Sequence, residues 1–230
     1  MKIHGIHKMT LLDFPGCVSC TIFLGGCDFR CPFCHNFELI DGTMKPTMDD
    51  DKLISFLLGR KGLLEGVAIT GGEPLMHEEL PELISKIRNV GYKVKLDTNG
   101  YHPDRLKRII ENGLVDYVAM DIKNSPEKYA LTCGVETVDL KRIYESISIL
   151  KNSGIEYEFR TTVVNEFHNK EDFTKIGEII KNSKRYFLQR FTDRDSVPYG
   201  NLTAPSFKDM YNYAAIMREF IPETSLRGVE

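Results

Sequence analysis

Three cysteines, Cys27, Cys31 and Cys34, stand within eight residues of the stretch "GGCDFRCPFCHN", spaced C-x3-C-x2-C with no fourth close by. Thiolate sulfur ligates zinc and iron–sulfur clusters, and a closed structural zinc site or an ordinary cluster takes four protein ligands. Three thiolates can hold three irons of a [4Fe–4S] cube and leave the fourth iron without a protein ligand, much as a catalytic zinc keeps one position open. Gly25 and Gly26 let the backbone fold closely around such a group. Two other readings stay open on these residues alone. One is a zinc site completed by His35 or a distant cysteine. The other is three buried thiols acting as small hydrophobes, which the interleaved Asp28, Arg30 and Pro32 disfavour.

Further polar residues recur directly after apolar runs. "TGGEP" (70–74) follows "VAI", "DTNG" (97–100) follows "VKL", and "DIK" (121–123) follows "VAM". Gly71 and Gly72 permit close backbone approach, and Glu73 offers a carboxylate acceptor. Asp97 with Thr98, and Asp121 with Lys123, put acids at the ends of their runs; two converging acids need a cation or donors beside them. The plainer alternatives are a strand-to-helix turn at Gly71–Pro74 and helix N-caps or turns at the acids. In "YEFRTTVV", alternation sends Tyr157, Phe159, Thr161 and Val163 one way and Arg160 the other, where its guanidinium can clamp a carboxylate. Gln189 and Arg190 of "YFLQRF" are candidates for the last part of the site.

These groups need a scaffold, and the sequence between them supplies one. Strand runs are predicted at 18–24, 66–70, 92–98, 117–123, 157–164 and 186–191, each short and rich in β-branched or aromatic residues. Helical periodicity fills the gaps: Leu80, Leu83, Ile84, Ile87 and Val90 share one face, as do Leu140, Ile143, Ile147 and Leu150. Further helices are predicted near 49–59, 103–112, 170–182 and 206–220, with Gly113 as a C-cap. Six strand–helix units in series predict a parallel α/β sheet, for which an open doubly wound sheet and a partial barrel fit equally well. Ligands in such folds bind at the C-terminal ends of strands, so the motifs should gather at one rim.

The totals bound the rest. The chain has 230 residues, net charge −3 and 27% charged side chains of both signs, which predicts one soluble domain over 1–230 with no grip on nucleic acid or anionic membrane. No apolar run approaches the roughly 20 residues of a membrane helix, and the N-terminus lacks a signal-peptide layout, so a cytoplasmic protein is expected. Among six cysteines, Cys17, Cys20 and Cys133 are read as core thiols rather than disulfide partners. His4, His7, His77, His102 and His168 lack ligand spacing, and Phe207, Tyr211 and Ala214 are read as a core-facing helix face.

The cysteine loop, with Phe33 before its last cysteine, resembles the radical S-adenosylmethionine (SAM) superfamily. Within it, "FPGCVSCTIFLGGCDFRCPFCHN" resembles the activating enzymes of glycyl-radical enzymes, in particular the short type that activates anaerobic ribonucleoside-triphosphate reductase. The resemblance runs from about Ile3 to the terminal "LRG". It implies a partial (β/α)6 TIM-like barrel in a single domain. It implies a [4Fe–4S] cluster on Cys27, Cys31 and Cys34 whose open iron is chelated by SAM, with one-electron cleavage to methionine and a 5′-deoxyadenosyl radical.

It further implies SAM contacts at Phe33, Gly71, Gly72, Glu73, Asp97, Thr98, Asp121, Lys123 and Arg160, with a monovalent cation near Asp97 and Asp121. The partners it implies are a glycyl-radical enzyme and a low-potential electron donor such as flavodoxin or ferredoxin. The segment between Cys34 and Thr70 is too short for the additional cluster domain of larger activators. Two alternatives remain: radical chemistry on a small molecule, as in 7-carboxy-7-deazaguanine synthase-like enzymes, and a non-catalytic iron–sulfur or zinc protein with four ligands.

Overall fold

The computed structural model describes residues 1–229. The N-terminal part runs β1 (Lys2–Ile3), β2 (Gly5–Thr10), β3 (Ser19–Leu24), α1 (Phe37–Ile40), β4 (Met48–Asp49) and α2 (Asp50–Leu58). Next come β5 (Gly66–Gly71), α3 (Leu80–Val90), β6 (Lys93–Thr98), α4 (Pro103–Glu111) and β7 (Tyr117–Asp121). The chain finishes with α5 (Tyr129–Cys133), α6 (Leu140–Asn152), β8 (Glu156–Val163), α7 (Lys170–Ile180), β9 (Tyr186–Arg190), α8 (Phe207–Arg218) and β10 (Thr224–Arg227). All six predicted strands are present, and Gly113, at φ +61°, donates its N–H to Ile110 O and closes α4 as expected.

One eight-stranded sheet has the order β10-β9-β8-β7-β6-β5-β3-β2; β1 and β4 form a separate antiparallel pair. Every neighbouring pair from β3 to β10 is parallel, and only β2 runs antiparallel, against β3. This order decides between the two architectures. A doubly wound sheet reverses direction at a switch point, whereas here each strand adds beyond the last. Right-handed crossovers then place every helix on the same side, and the sheet curls with its helices outside. The curl brings the two edges together: Leu12, Asp13 and Pro15 after β2 line one cavity with Arg227 and Gly228 at the end of β10. The fold is a partial barrel. Its outermost strands, β2 and β10, were not foreseen, because "GIHKMT" and "TSLR" are too short and polar to read as apolar runs.

Strand alternation divides the sheet into two chemistries. Ile22, Leu24, Val67, Ile69, Val94, Leu96, Val118, Met120 and Phe159 point outward and are buried in one core with the helices. Leu83, Ile84 and Ile87 of α3 and Ile143, Ile147 and Leu150 of α6 meet them there. Each fully buried aliphatic side chain contributes roughly 1.5–3 kcal/mol, so this layer carries the stability. Inward, toward the cavities, point Thr21, Thr70, Lys95, Asp97, Asp121, Glu158, Arg160 and Gln189.

Two side-chain expectations need correction or refinement. In α8 the buried stripe is Met210, Tyr213, Ala214 and Met217, while Phe207 and Tyr211 are exposed. The i, i+3, i+4, i+7 set that starts at Met210 is the more continuous apolar face, and it wins. Cys17 lies ahead of β3 in a small cluster with Phe14 and Tyr117, whereas Cys20 is in the main core. All six cysteines are free. No described helix is long and apolar enough to cross a membrane.

Candidate active site

A cavity of about 480 Å³ opens at the C-terminal ends of the central strands. Cys27, Cys31, Phe33, Cys34, Gly71, Gly72, Asp97, Thr98, Asp121, Lys123 and Arg160 all line it. Residues from five separate segments are thus brought to one rim. Gln189 joins them, but Arg190 does not: its Nε donates to Pro205 O and its guanidinium lies 5.0 Å from the Phe207 ring centroid.

The cysteine loop follows β3 and is braced from several sides. His77 Nε2 donates to Gly25 O at 2.8 Å, His102 Nε2 meets Asp28 Oδ2 at 2.8 Å, and His35 Nε2 donates to Thr192 O at 2.6 Å. The Arg30 guanidinium donates to Cys27 O and Phe29 O at 2.7 and 2.9 Å. Of the histidines that lacked ligand spacing, His77 and His102 therefore have a mechanical task, which only their distant partners reveal. Phe33 packs against Phe167 with ring centroids 5.7 Å apart, closing one side of the loop.

The sulfur atoms sit in dissimilar surroundings. Phe29 N–H and Asn99 Nδ2 point donors at Cys27 Sγ from 3.4 and 3.7 Å. Burial nevertheless pushes the Cys27 thiol up to about 12, and Cys34 is raised for the same reason. Cys31 is shifted the other way, its thiolate favoured by the neighbouring Cys133 side chain and by the charge of Lys123 against the effect of burial. Among the described residues, no three His, Cys, Asp or Glu side chains converge tightly enough for a single metal ion. Three thiols ringing one cavity suit a larger group that spreads its ligands over several irons.

Beside the loop, "TGGEP" is zipped to it by backbone. Gly72 N–H donates to Leu24 O and Glu73 N–H to Gly26 O, both at 2.8 Å. A Cβ on Gly72 would lie 1.9 Å from Gly26 O, and one on Gly71 would lie 2.3 Å from Leu24 O. Gly71 also has φ +120°, so only glycine fits this cradle. Asn36 Nδ2 donates to Gly71 O at 3.0 Å, tying the end of the cysteine loop to the same turn.

Glu73 is placed differently from the expectation of a ligand-facing carboxylate. It is fully buried behind the cavity wall and accepts from Leu75 N–H, Thr98 Oγ1 and Asn99 N–H at 3.0, 2.8 and 2.6 Å. Burial lifts its carboxyl to about 7 in spite of these donors. It fastens the "TGGEP" turn to "DTNG" and leaves the backbone of Gly71 and Gly72 to face the cavity.

Asp97 and Asp121 converge as predicted, with their counter-charges supplied by side chains. Arg160 meets Asp97 Oδ2 through its NH2 nitrogen at 3.1 Å and donates its Nε to Asp121 Oδ1 at 2.5 Å. Lys123 reaches Asp121 Oδ2 at 2.9 Å, and Lys95 pairs with Asp97. Burial alone would raise both acids, but Arg160 and the lysines outweigh it and hold both carboxyls below the usual range. Three cations against two acids leave one surplus positive charge. Arg160, Lys95 and Lys123 thus stand around the two acids near which a monovalent cation was expected. Lys95 was not singled out from sequence, nor were Asn99 and the cavity-lining Arg194. A second cavity of about 410 Å³ shares Asp97, Arg160 and Gln189, and there Arg227 grips Glu158 at 2.8 and 3.0 Å.

With this geometry in place, comparison with known proteins is decisive about family. The model of the Radical SAM superfamily matches residues 21–180. The chain belongs to the radical SAM superfamily. Membership implies a [4Fe–4S] cluster and SAM, and the three cavity-facing thiols beside a glycine cradle fit both. This radical SAM protein is 29% identical over 238 residues, covering 99% of its length and 96% of the relative's, to a Methanocaldococcus jannaschii protein provisionally named a glycyl-radical enzyme activating enzyme. It is also 29% identical to the pyruvate formate-lyase-activating enzyme of Clostridium pasteurianum, over 79% of this chain and 76% of that one. Among solved structures, Streptococcus suis SuiB bound to S-adenosylmethionine superposes with a TM-score of 0.66 at 13% identity, over 90% of this chain and 52% of SuiB, a likeness of fold.

Proposed function

We propose that this radical SAM enzyme is an activase that installs a glycyl radical in a partner protein, with anaerobic ribonucleoside-triphosphate reductase as that partner. The observation that carries the reading is the end-to-end match to the archaeal activating enzyme, which spans nearly all of both chains. When bound, the cluster supplies the electron that splits SAM into methionine and a 5′-deoxyadenosyl radical, which takes a hydrogen atom from a glycine Cα.

The chain's own residues then have definite tasks. Cys27, Cys31 and Cys34 hold the cluster from one wall, their protons leaving as the thiolates bind iron. The close backbone of Gly71 and Gly72, beside the same loop, would receive the methionyl ammonium. The surplus positive charge of the Lys95, Asp97, Asp121, Lys123 and Arg160 group complements the methionyl carboxylate, with Lys123 and Arg160 as donors at the cavity face. Thr98 and Phe33 shape the remaining contact. We take the whole of 1–230 as one catalytic domain served by a low-potential flavodoxin- or ferredoxin-type donor in the cytoplasm. A monovalent cation forms no part of this reading.

The test has two stages. Anaerobically reconstituted protein should bind about four irons and, with SAM and dithionite, release methionine and 5′-deoxyadenosine. Cys31→Ala should abolish that release, and retained activity would overturn the assignment. Incubation with the host's anaerobic ribonucleotide reductase should then give a SAM-dependent glycyl-radical EPR doublet. A doublet only with another glycyl-radical enzyme would move the partner, and none with any would return the reaction to a small-molecule substrate.

A further inference from the structure

The two cavities meet at four residues that line both: Asp13, Asp97, Arg160 and Gln189. Three of the four are already engaged. Asp13 Oδ2 accepts from Thr21 Oγ1 at 2.5 Å, and Asp97 and Arg160 hold each other and their further partners. Gln189, half-buried toward the C-terminal end of β9, is the exception, for among the described residues nothing bonds its side-chain amide. Thr162 stands beside it in register on β8 and also faces the first cavity, so an uncharged strip borders the charged group. Beyond Gln189 the second cavity runs between the edges of the sheet to Leu12, which is 87% exposed. Its charges are balanced, with Lys95, Arg160 and Arg227 against Asp13, Asp97 and Glu158. This passage suits a polar ligand without net charge.

We propose that Gln189 orients the target glycine, its side-chain amide pairing with a peptide group beside that glycine. The glycine is carried on an uncharged, extended segment of the partner that lies in the second cavity. No folded domain fits cavities of about 480 and 410 Å³, so the residue must arrive on extended chain. A glycine has no side chain to recognise, and its flanking peptide groups offer only N–H and C=O. A glutamine amide is the complement of such a group, with Nε2 as donor and Oε1 as acceptor. The charged residues of the first cavity instead match the charged ends of an amino acid.

This inference rests on the activase reading and divides the labour within the site. Lys123, Arg160 and the glycine cradle hold SAM, while Gln189 fixes where the glycine Cα stands relative to it. Loss of the amide then shows in the partner's KM and in how often the 5′-deoxyadenosyl radical takes its hydrogen from the glycine.

The experiment uses the full-length reconstituted enzyme and the glycyl-radical enzyme that gives a doublet with wild type, its glycines dideuterated at Cα. Gln189→Leu should raise the partner's KM about tenfold and lower the share of 5′-deoxyadenosine that carries deuterium. Gln189→Glu keeps the shape and the acceptor but loses the donor, and should fall between. A capped, uncharged peptide with a central glycine should compete with the partner at wild type and about tenfold more weakly at Gln189→Leu. An unchanged KM and deuterium share in Gln189→Leu would overturn the proposal. So would a loss of SAM affinity as large as the loss of partner affinity, which would place the amide on SAM. A wild type that gives no doublet with any glycyl-radical enzyme would remove the activase reading and this inference together.

Discussion

Arg160 on β8 reaches past β7 to Asp97 on β6, where its NH2 nitrogen sits 3.1 Å from the carboxylate. With its Nε on Asp121, one guanidinium ties three adjacent strands together at the mouth of the barrel. Removing it leaves each acid a single lysine. Breaking a buried pair costs about 3–5 kcal/mol, and the surviving lysines put Arg160→Met at the lower end. A fall in melting temperature of about 6–12 °C is expected by calorimetry. An unchanged melting temperature would show the network to be energetically neutral. SAM binding by the same variant should weaken at least tenfold, since the carboxylate-facing surplus charge is gone.

The buried acids make opposite pH predictions. Asp97 and Asp121 have depressed folded pKa values, so their contribution is present above the unfolded value near 3.8 and is lost as pH falls below it. Glu73 is raised to about 7 from 4.5, so the native state holds its proton more tightly and this group's contribution declines as pH rises from 4.5 to 7. Denaturant titrations across pH should show Glu73→Gln flattening the 4.5–7 limb while leaving the acid limb in place. A carbon-13 titration of the Glu73 carboxyl with a midpoint below 4.5 would mean that its three donors outweigh burial.

Gly72→Ala tests the cradle. Its methyl would sit 1.9 Å from Gly26 O, which is backbone and cannot swing away. The turn must separate from the cysteine loop, at a cost of about 1–3 kcal/mol or more. We expect folded protein with a melting temperature lower by about 2–12 °C and no measurable SAM binding by calorimetry. Normal SAM affinity would remove the close backbone approach from the site.

Asn99→Ala removes the side-chain donor at Cys27 Sγ and the acceptor for Tyr101 N–H. Groups that orient metal ligands typically change affinity 10–100-fold. The reconstituted variant should lose iron to a chelator at least ten times faster than wild type, with little change in circular dichroism. Equal rates would make Asn99 a turn residue only.

Much of this site can be read along the chain, and the unreadable part has a common cause. The cysteine loop and the motifs after β5, β6 and β7 stand out because polar residues directly follow apolar runs. Arg160 was legible from alternation together with the family resemblance. Lys95 was not, since a lysine inside "YKVKLDT" looks like any solvent-facing strand residue until the sheet curls and turns that face inward. Glu73 was assigned to the right motif but the wrong side of the wall, because its partners Thr98 and Asn99 lie on another strand's turn. His77 and His102 gave no signal for the same reason: their partners, Gly25 O and Asp28, are far off in sequence. Periodicity reports which way a side chain points, and the tertiary contact decides what it meets there.

The split between the two faces of the sheet has a consequence for how such an enzyme can change. Outward residues such as Val94, Val118 and Phe159 belong to the core, whereas inward neighbours such as Thr162 and Gln189 border only the chamber. Exchanges at those inward positions alter the shape presented to a bound molecule while the packing against the helices is untouched. A lineage could therefore retune what it acts on without first acquiring spare stability, and the alternation of a β-strand is enough to keep the two demands apart.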